Sequence, residues 1–397
     1  VLTKINATTG QIIWQNVYQN TATNGIAFSA INQAKSSSNL VILTSINGTV
    51  SGSTFGRAGV MVIAKSDGTA IASNVPVSSA TNRVYPPDGN ILYDSTSNTY
   101  IYGSGSTSGT DTYNWINQVN ADTLAFIRCI RGSTDGTGWQ NGYNFGLNNN
   151  SQNYYYTFTR PDGINTGGFL RYNPSTATYI SQYIVNGRVT IGGMPDVSSD
   201  GTRFASTFSV AAPATNLNVA GYTVQTFNTD LTVRWVRLTS TSGIIIGNVG
   251  TIIDSSYNVY ASFRDTLATH DNICKFDANG NLLSITRFVI SGSSLSQLQV
   301  FGQDNDYLYL IMNGPSPNNA NSLLIKYPKT MTLYGTFTIQ GVTLVISNAA
   351  GTITFSNATF NTTGSYTAFT STSVLATLTG ATNRTTGTSS LVQQLNI

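Results

Sequence analysis

Residues 251–288, TIIDSSYNVYASFRDTLATHDNICKFDANGNLLSITRF, decide the fold. Short alternating or apolar runs are separated by clusters of Asp, Asn, Ser and Gly. Such clusters make turns because Asn and Asp bond their own backbone and tolerate left-handed geometry. The stretch therefore reads as strand, turn, strand, longer loop, strand, turn, strand.

The second turn of this unit, DANG at 277–280, has counterparts along the chain. KINATTGQIIW (4–14), IAKSDGTAIA (63–72), QVNADTLAFI (118–127), RYNPSTATYI (171–180), TFNTDLTVRW (226–235) and IKYPKTMTLY (325–334) each place an apolar residue, a polar turn and alternating apolar residues in the same order. They recur every ~50 residues, the range of four-stranded propeller blades. The upstream half also recurs, as in GNILYDSTSNTYIYGS (89–104), YNFGLNNNSQNYYYTF (143–158), MPDVSSDGTRFASTF (194–208) and LQVFGQDNDYLYLIM (298–312). Its first strand is apolar on both faces, as a strand lining a crowded centre would be, and its second alternates.

The 251–288 unit resembles a seven-bladed β-propeller repeat family of the type Asp-Ser-x-Gly-Asn-x-Tyr followed by Lys-Phe-Asp-x-x-Gly-Asn. Asp254, Ser255, Asn258, Tyr260, Lys275, Phe276, Asp277, Gly280 and Asn281 fall on that pattern, while Tyr257 stands where the family has Gly and Ser284 near its Trp. Residues 1–14 match its outer half through Lys4, Ile5, Gly10 and Trp14. The resemblance implies an all-β propeller of four-stranded antiparallel blades and carries no activity with it.

Seven outer hairpins are countable, and upstream pairs precede six of them. The expectation is seven blades over residues 1–359, with the hairpin 1–17 completing the last blade by pairing with 341–359. The alternative is six blades and a separate C-terminal β module. Residues 360–397, rich in Thr and Ser, read as a C-terminal arm or β appendage.

Composition excludes several function classes. Charged residues make up 9%, the net charge is +3, and all acidic residues are Asp. No basic stripe exists, so nucleic acid is not an expected partner. The most apolar stretch, 243–253, is shorter than the ~18 residues of a membrane-spanning helix, so membrane insertion is not expected. The chain opens without Met or a leader-like segment, so it is expected to start inside something, either after processing or because an N-terminal part is not included. Cys129 and Cys274 sit in separate apolar runs and read as two independent buried thiols.

Chemistry-bearing motifs are scarce. The single His270, in TLATHDN, reads as an exposed loop residue, and no nucleophile elbow, phosphate loop or Cys-x-x-Cys occurs. Asp67, Asp122, Asp230, Asp254, Asp277 and the close pair Asp304 and Asp306 lie in turns, where they bond backbone. Propellers that bind a quinone with calcium use a Glu-containing ligand set, which a chain without Glu cannot form. The expectation is no catalytic residue, metal or cofactor, hence not an enzyme. The candidate contact residues are Trp139 and Tyr143 in the long loop 131–152, with Trp115, as a stacking surface for a glycan or receptor.

Low charge, abundant Ser, Thr, Asn, Gly and Tyr, and rigid repeats resemble the structural and tail proteins of bacteriophage virions. The expected role is a virion structural or adhesion component, partnered by other virion or surface proteins in a symmetric assembly and located in the virion or at the cell surface. Two alternatives stand beside it: a secreted glycan-binding propeller, and a polysaccharide-degrading enzyme using Asp pairs.

Overall fold

The computed structural model describes residues 2–6, 8–20, 26–50, 53–76, 82–85, 91–108, 111–133, 145–147, 154–159, 166–176, 178–186, 189–192, 195–210, 215–217, 219–239, 250–265, 270–291, 298–313, 322–339, 342–351, 353–360, 367–371, 377–378, 382–386 and 395–396. Among them the fold is all-β, with no helix. The strands form seven sheets, taken here in chain order. The second to sixth are meanders of four consecutive strand positions, built within 26–76, 82–133, 145–186, 189–239 and 251–290. The seventh holds Leu298–Gln303, Tyr307–Asn313 and Ser322–Pro328, and the first holds only the hairpin Leu2–Ile5 and Ile12–Asn20 from its own part of the chain.

One local device repeats in the outer hairpins. Gly10, Gly68, Leu124, Leu231, Gly280 and Met331 all have φ between 54° and 79°. In the first, second, third, fifth and sixth sheets the strand leading into this turn carries a register shift beside it, for example between Lys275 and Phe276. A turn closed by a left-handed residue that opens a bulge is a common three- to five-residue hairpin connection. Polar side chains stabilise it: Asp277 Oδ1 accepts from Asn279 N and Asn281 N, each at 2.8 Å, and Asn6 Oδ1 accepts from Thr8 N at 2.9 Å.

These turns also fasten neighbouring sheets. Lys4 Nζ and Trp14 Nε1 of the first sheet donate to Lys65 O in the turn of the second, at 2.8 and 3.1 Å. Asn74 Nδ2 of the second donates to Leu124 O of the third at 2.7 Å, and Gln118 Nε2 of the third to Pro174 O of the fourth at 3.1 Å. Trp235 Nε1 and Arg237 Nε of the fifth reach Ala278 O and Gly280 O of the sixth at 3.3 and 2.6 Å. Lys275 Nζ of the sixth reaches Lys329 O beyond the seventh at 2.9 Å. The sequence period is thus the distance along the chain from a donor to the turn it clasps.

Burial follows the same order. Ile42, Met61 and Ile63 of the second sheet pack with Tyr18 and Trp14 of the first, and Val41, Leu43, Val60 and Val62 pack with Ile91, Tyr100 and Tyr102 of the third. Phe169 of the fourth meets Phe204, Phe208 and Phe227 of the fifth at ring-centre distances of 4.6–5.1 Å. Such offset and edge contacts contribute roughly 0.5–1.5 kcal/mol per pair beyond area burial.

The segment after the seventh sheet departs from expectation. Val342–Asn348 pairs with Leu282–Ile290, the outer strand of the sixth sheet, and Phe355–Asn357 pairs with Val233–Thr239 of the fifth. The expected pairing of 1–17 with 341–359 is therefore replaced. The first sheet instead receives Thr382–Thr386, with Val17 opposite Thr385. The reason is edge chemistry combined with burial. Outer strands carry unpaired backbone groups, and Leu344 and Ile346 bury beside Phe288 and Ile290 in the core between sixth and seventh sheets. Residues 360–397 form no module of their own among the described residues: Thr367–Ser371 joins the third sheet, Thr377–Leu378 the second, and Leu395–Asn396 lies parallel to Ser322–Pro328 of the seventh.

Two glycines separate backbone strain from crowding. A Cβ on Gly280 (φ +79°) would stand 2.6 Å from Trp235 Cδ2, whereas one on Gly351 (φ +81°) would meet nothing within 4 Å. Gly280→Ala is expected to cost about 2–4 kcal/mol, the sum of left-handed strain and overpacking, and Gly351→Ala about 1–2 kcal/mol. Urea unfolding of both variants checks this, and equal costs would refute the crowding at Trp235.

Candidate functional site

The acidic residues do what turn chemistry predicts. Asp254 Oδ1 accepts from Ser256 N and Asn258 N at 2.9 and 2.8 Å, and Asp304 Oδ1 accepts from Asp306 N and Tyr307 N at 2.9 and 2.7 Å. The close pair Asp304 and Asp306 is therefore one residue capping the other. Burial pushes the Asp304 carboxyl upward as the largest single influence, yet the Tyr309 hydroxyl and the turn N–H groups together leave it below the ordinary value. Asp277 behaves alike, with Asn281 and Asn279 outweighing burial. The carboxylates of Asp277 and Asp304 are held ionised by their own turns, which leaves neither poised as a general acid.

Asp196 is the exception. It lies on the innermost strand of the fifth sheet, and its Oδ2 accepts from Ile253 N of the sixth at 2.9 Å. Although the residue is only half-buried, desolvation of its carboxyl group pushes its pKa up to about 6, against the backbone donors Ile253 and Val197. It joins two sheets beside their innermost strands. Among the described residues no group of three or more His, Cys or Asp could hold a metal ion.

One cleft of about 440 Å³ opens between the second and third sheets at the turn end. Its apolar floor is Val62, Ala72 and Leu124, and its rim carries Lys35, Asp122 and Tyr100. Lys35 Nζ stands 2.6 Å from Asp122 Oδ1, and Asn98 Nδ2 donates to Asp122 Oδ2 at 2.8 Å. The hydrogen bond with Asp122 raises the lysine pKa, and the same bond, with Asn98, lowers that of Asp122. An exposed ion pair of this kind contributes little to stability. The cleft can seat a small amphipathic group.

Of the predicted contact residues, Trp139 and Tyr143 lie outside the described residues, and Trp115 is described by its backbone alone, on strand Asp111–Asn120 opposite Arg131 and Ser104. The three are not brought together by anything described. His270 is corrected from an exposed loop to a half-buried strand residue at the start of His270–Phe276, opposite Asp265. Cys274 is a free, buried thiol whose pKa burial raises strongly.

A latch between fifth and sixth sheets went unread in the sequence. Tyr257, where the resembled family has Gly, adopts φ 63°, lays its ring under the Arg203 guanidinium at 3.6 Å and donates its hydroxyl to Asp200 Oδ2 at 2.6 Å. The hydroxyls of Ser198 and Tyr257 hold the Asp200 carboxyl well below its usual range. The departure from glycine was the visible signal, but its cause lies 57 residues away in the chain.

No family model matches the chain, and no curated protein matches it. A solved structure similar to it is hydrazine synthase from Kuenenia stuttgartiensis, at 12% identity and a TM-score of 0.46, covering 75% of this chain and 95% of that one. The neighbour bears an enzyme's name, and the expectation that this chain is not an enzyme does not stand: the lack of a recognised motif gives no ground for excluding catalysis. At that identity and score the likeness assigns no activity.

Asp196 gives a pH test. Its folded pKa, about 6, lies above the ordinary 3.8, so its favourable contribution is complete below pH 3.8 and is lost as pH rises through 6. Asp196→Asn, which can still accept from Ile253 N, is expected to gain stability over the parent by on the order of 1–3 kcal/mol at pH 7.5 and almost nothing at pH 4. Urea titrations at the two pH values measure it; a gain independent of pH would refute the buried carboxyl.

Proposed function

We propose that the chain is a seven-bladed ring whose task is to act as a rigid scaffold for protein–protein assembly, in a virion or at a cell surface. The observation carrying this reading is the path of the C-terminal arm. Leaving the seventh sheet, its described strands add to the sixth, fifth, third, second and first sheets in that reverse order, and then to the seventh again. A strand that ends beside the sheet it left is simplest to satisfy if the first and seventh sheets are neighbours. The arm then works as a belt around the outer edges, and ring closure rests on 382–386 rather than on 341–359.

Such a belt suits a scaffold. It covers edges that would otherwise recruit strands from other molecules, and it spreads the clasp over six sheets. Segment 131–152, with Trp139 and Tyr143, is the part proposed to meet a host surface or neighbouring subunits. Low surface charge fits packing within a crowded symmetric particle better than electrostatic capture of a soluble partner.

The test is a cross-link between the chain's two ends. Val17→Cys with Thr385→Cys, opposite one another in register, should form an intramolecular disulfide on mild oxidation and raise the thermal midpoint. Monomeric, faster-migrating chain on a non-reducing gel supports the belt; cross-linked dimers or no cross-link refute it. Electron micrographs of the oxidised protein should show a disc with seven-fold modulation.

A further inference from the structure

The junction of the second and third sheets breaks the pattern of turn clasps. In each outer hairpin one cross-strand pair beside the bulge stands at the next sheet's turn: Lys4 with Trp14, Gln118 with Arg128, Thr226 with Trp235, and Lys275 with Ser284. Each pair sends at least one N–H to the carbonyl of that turn's second residue. Lys4 and Trp14 reach Lys65 O, Gln118 and Arg128 reach Pro174 O, Trp235 reaches Ala278 O, and Lys275 reaches Lys329 O. In the second sheet the corresponding pair is Val62 with Ala72, and neither side chain carries a donor. The corresponding carbonyl is that of Ala121, which is buried and accepts no hydrogen bond among the described residues. A buried carbonyl in that condition is uncommon.

The same exchange of residues opens a space. Trp14 packs over Gly68 and Trp235 over Gly280, so closely that a Cβ on either glycine would stand 2.9 or 2.6 Å from the indole. At the second junction Ala72 takes the place of the indole. Leu124, the counterpart of those glycines with φ 54°, occupies part of the volume. What remains is the cleft of about 440 Å³, lined among others by Val62, Ala72, Ala121 and Leu124. That volume falls in the range of small-molecule sites, roughly 300–1,000 Å³.

We infer that this cleft binds a small molecule built on an indole, or on a flat aromatic ring of that size bearing one ring N–H. The ring lies on Val62, Ala72 and Leu124 and donates to Ala121 O, as Trp14 and Trp235 donate to Lys65 O and Ala278 O. The surroundings select this class. The ligand supplies a donor, because the unpaired group is a carbonyl. The donor is neutral, because an ammonium or guanidinium would lose its hydration against an apolar floor. The ring is flat, because a flat ring fills the equivalent position at two other junctions. At the rim the Lys35–Asp122 pair presents both signs at once, which suits an uncharged polar tail that both donates and accepts. The inference goes beyond the scaffold reading and needs only the second and third sheets, so its outcome is separate from that of ring closure.

The experiment is isothermal titration calorimetry of the full chain with indole-3-acetamide. Saturable binding in the range of ~0.1–1 mM is expected. The analogue methylated on the ring nitrogen should bind roughly tenfold more weakly, since it fills the cleft but leaves Ala121 O unpaired. Ala72→Trp combined with Leu124→Gly recreates the arrangement of the first junction; it should abolish binding and leave the thermal midpoint at or above that of the parent. Ile127→Ser, at a position 39% exposed on the outer strand of the third sheet, should leave binding unchanged. Absence of saturable binding, equal affinity for the methylated analogue, or undiminished binding by the folded double variant overturns the inference. A capped Gly-Gly-Trp-Gly-Gly peptide that binds more tightly than indole-3-acetamide also overturns it, since the occupant would then be a segment of another protein. The comparison of ligands uses the parent alone, so it decides the matter even where the double variant fails to fold.

Discussion

The structure depends on one constraint, the unpaired carbonyls of tight turns. A hairpin that closes through a left-handed residue turns carbonyl groups outward, and those groups need donors when they are covered by a neighbouring sheet. Lys4, Trp14, Asn74, Gln118, Trp235, Arg237 and Lys275 supply them, each from the preceding sheet. The donor types differ, but the acceptor is always backbone in the same turn. This explains how the units can diverge in sequence while their spacing persists: the length of chain between donor and turn is constrained by geometry, and the donor itself only by its ability to reach.

Edges impose the second constraint. A set of meanders leaves one outer strand per sheet unpaired, and the C-terminal arm answers with short strands of two to seven residues. Where the arm also contributes side chains to the cores between sheets, as at Leu344, Ile346, Ile353 and Phe360, it is part of the packing as well as of the ladders. Elsewhere it contributes backbone pairing. A Thr- and Ser-rich segment is suited to that role, because β-branched threonine favours extended backbone on a half-exposed surface.

The carboxylates illustrate how the same residue type divides by environment. Asp254, Asp277 and Asp304 are spent on their own turns. Asp196, on an inner strand of its sheet, bonds the backbone of the next sheet and loses enough water to titrate near 6. Asp277 and Asp304 differ from Asp196 in burial of the carboxyl group rather than in local sequence, since each sits near a turn of similar composition.

Much of this was legible in the residues. The all-β class, the period, the turns and the role of most aspartates follow from local chemistry, because alternation and Asx bonding act over a few residues. The signature residues Lys4, Trp14, Lys275 and Asp277 were marked by their recurrence. The partner of the N-terminal hairpin, the latch of Arg203 on Tyr257, and the elevation of Asp196 were decided by tertiary structure. Each depends on which distant segment lies within a few ångströms, and segments 342–348 and 382–386 offer nearly the same extended, Thr-containing backbone to any open edge. Strand identity was thus fixed locally, while strand partnership was settled by where Leu344 and Ile346 could be buried, a matter of three-dimensional packing that periodicity does not carry.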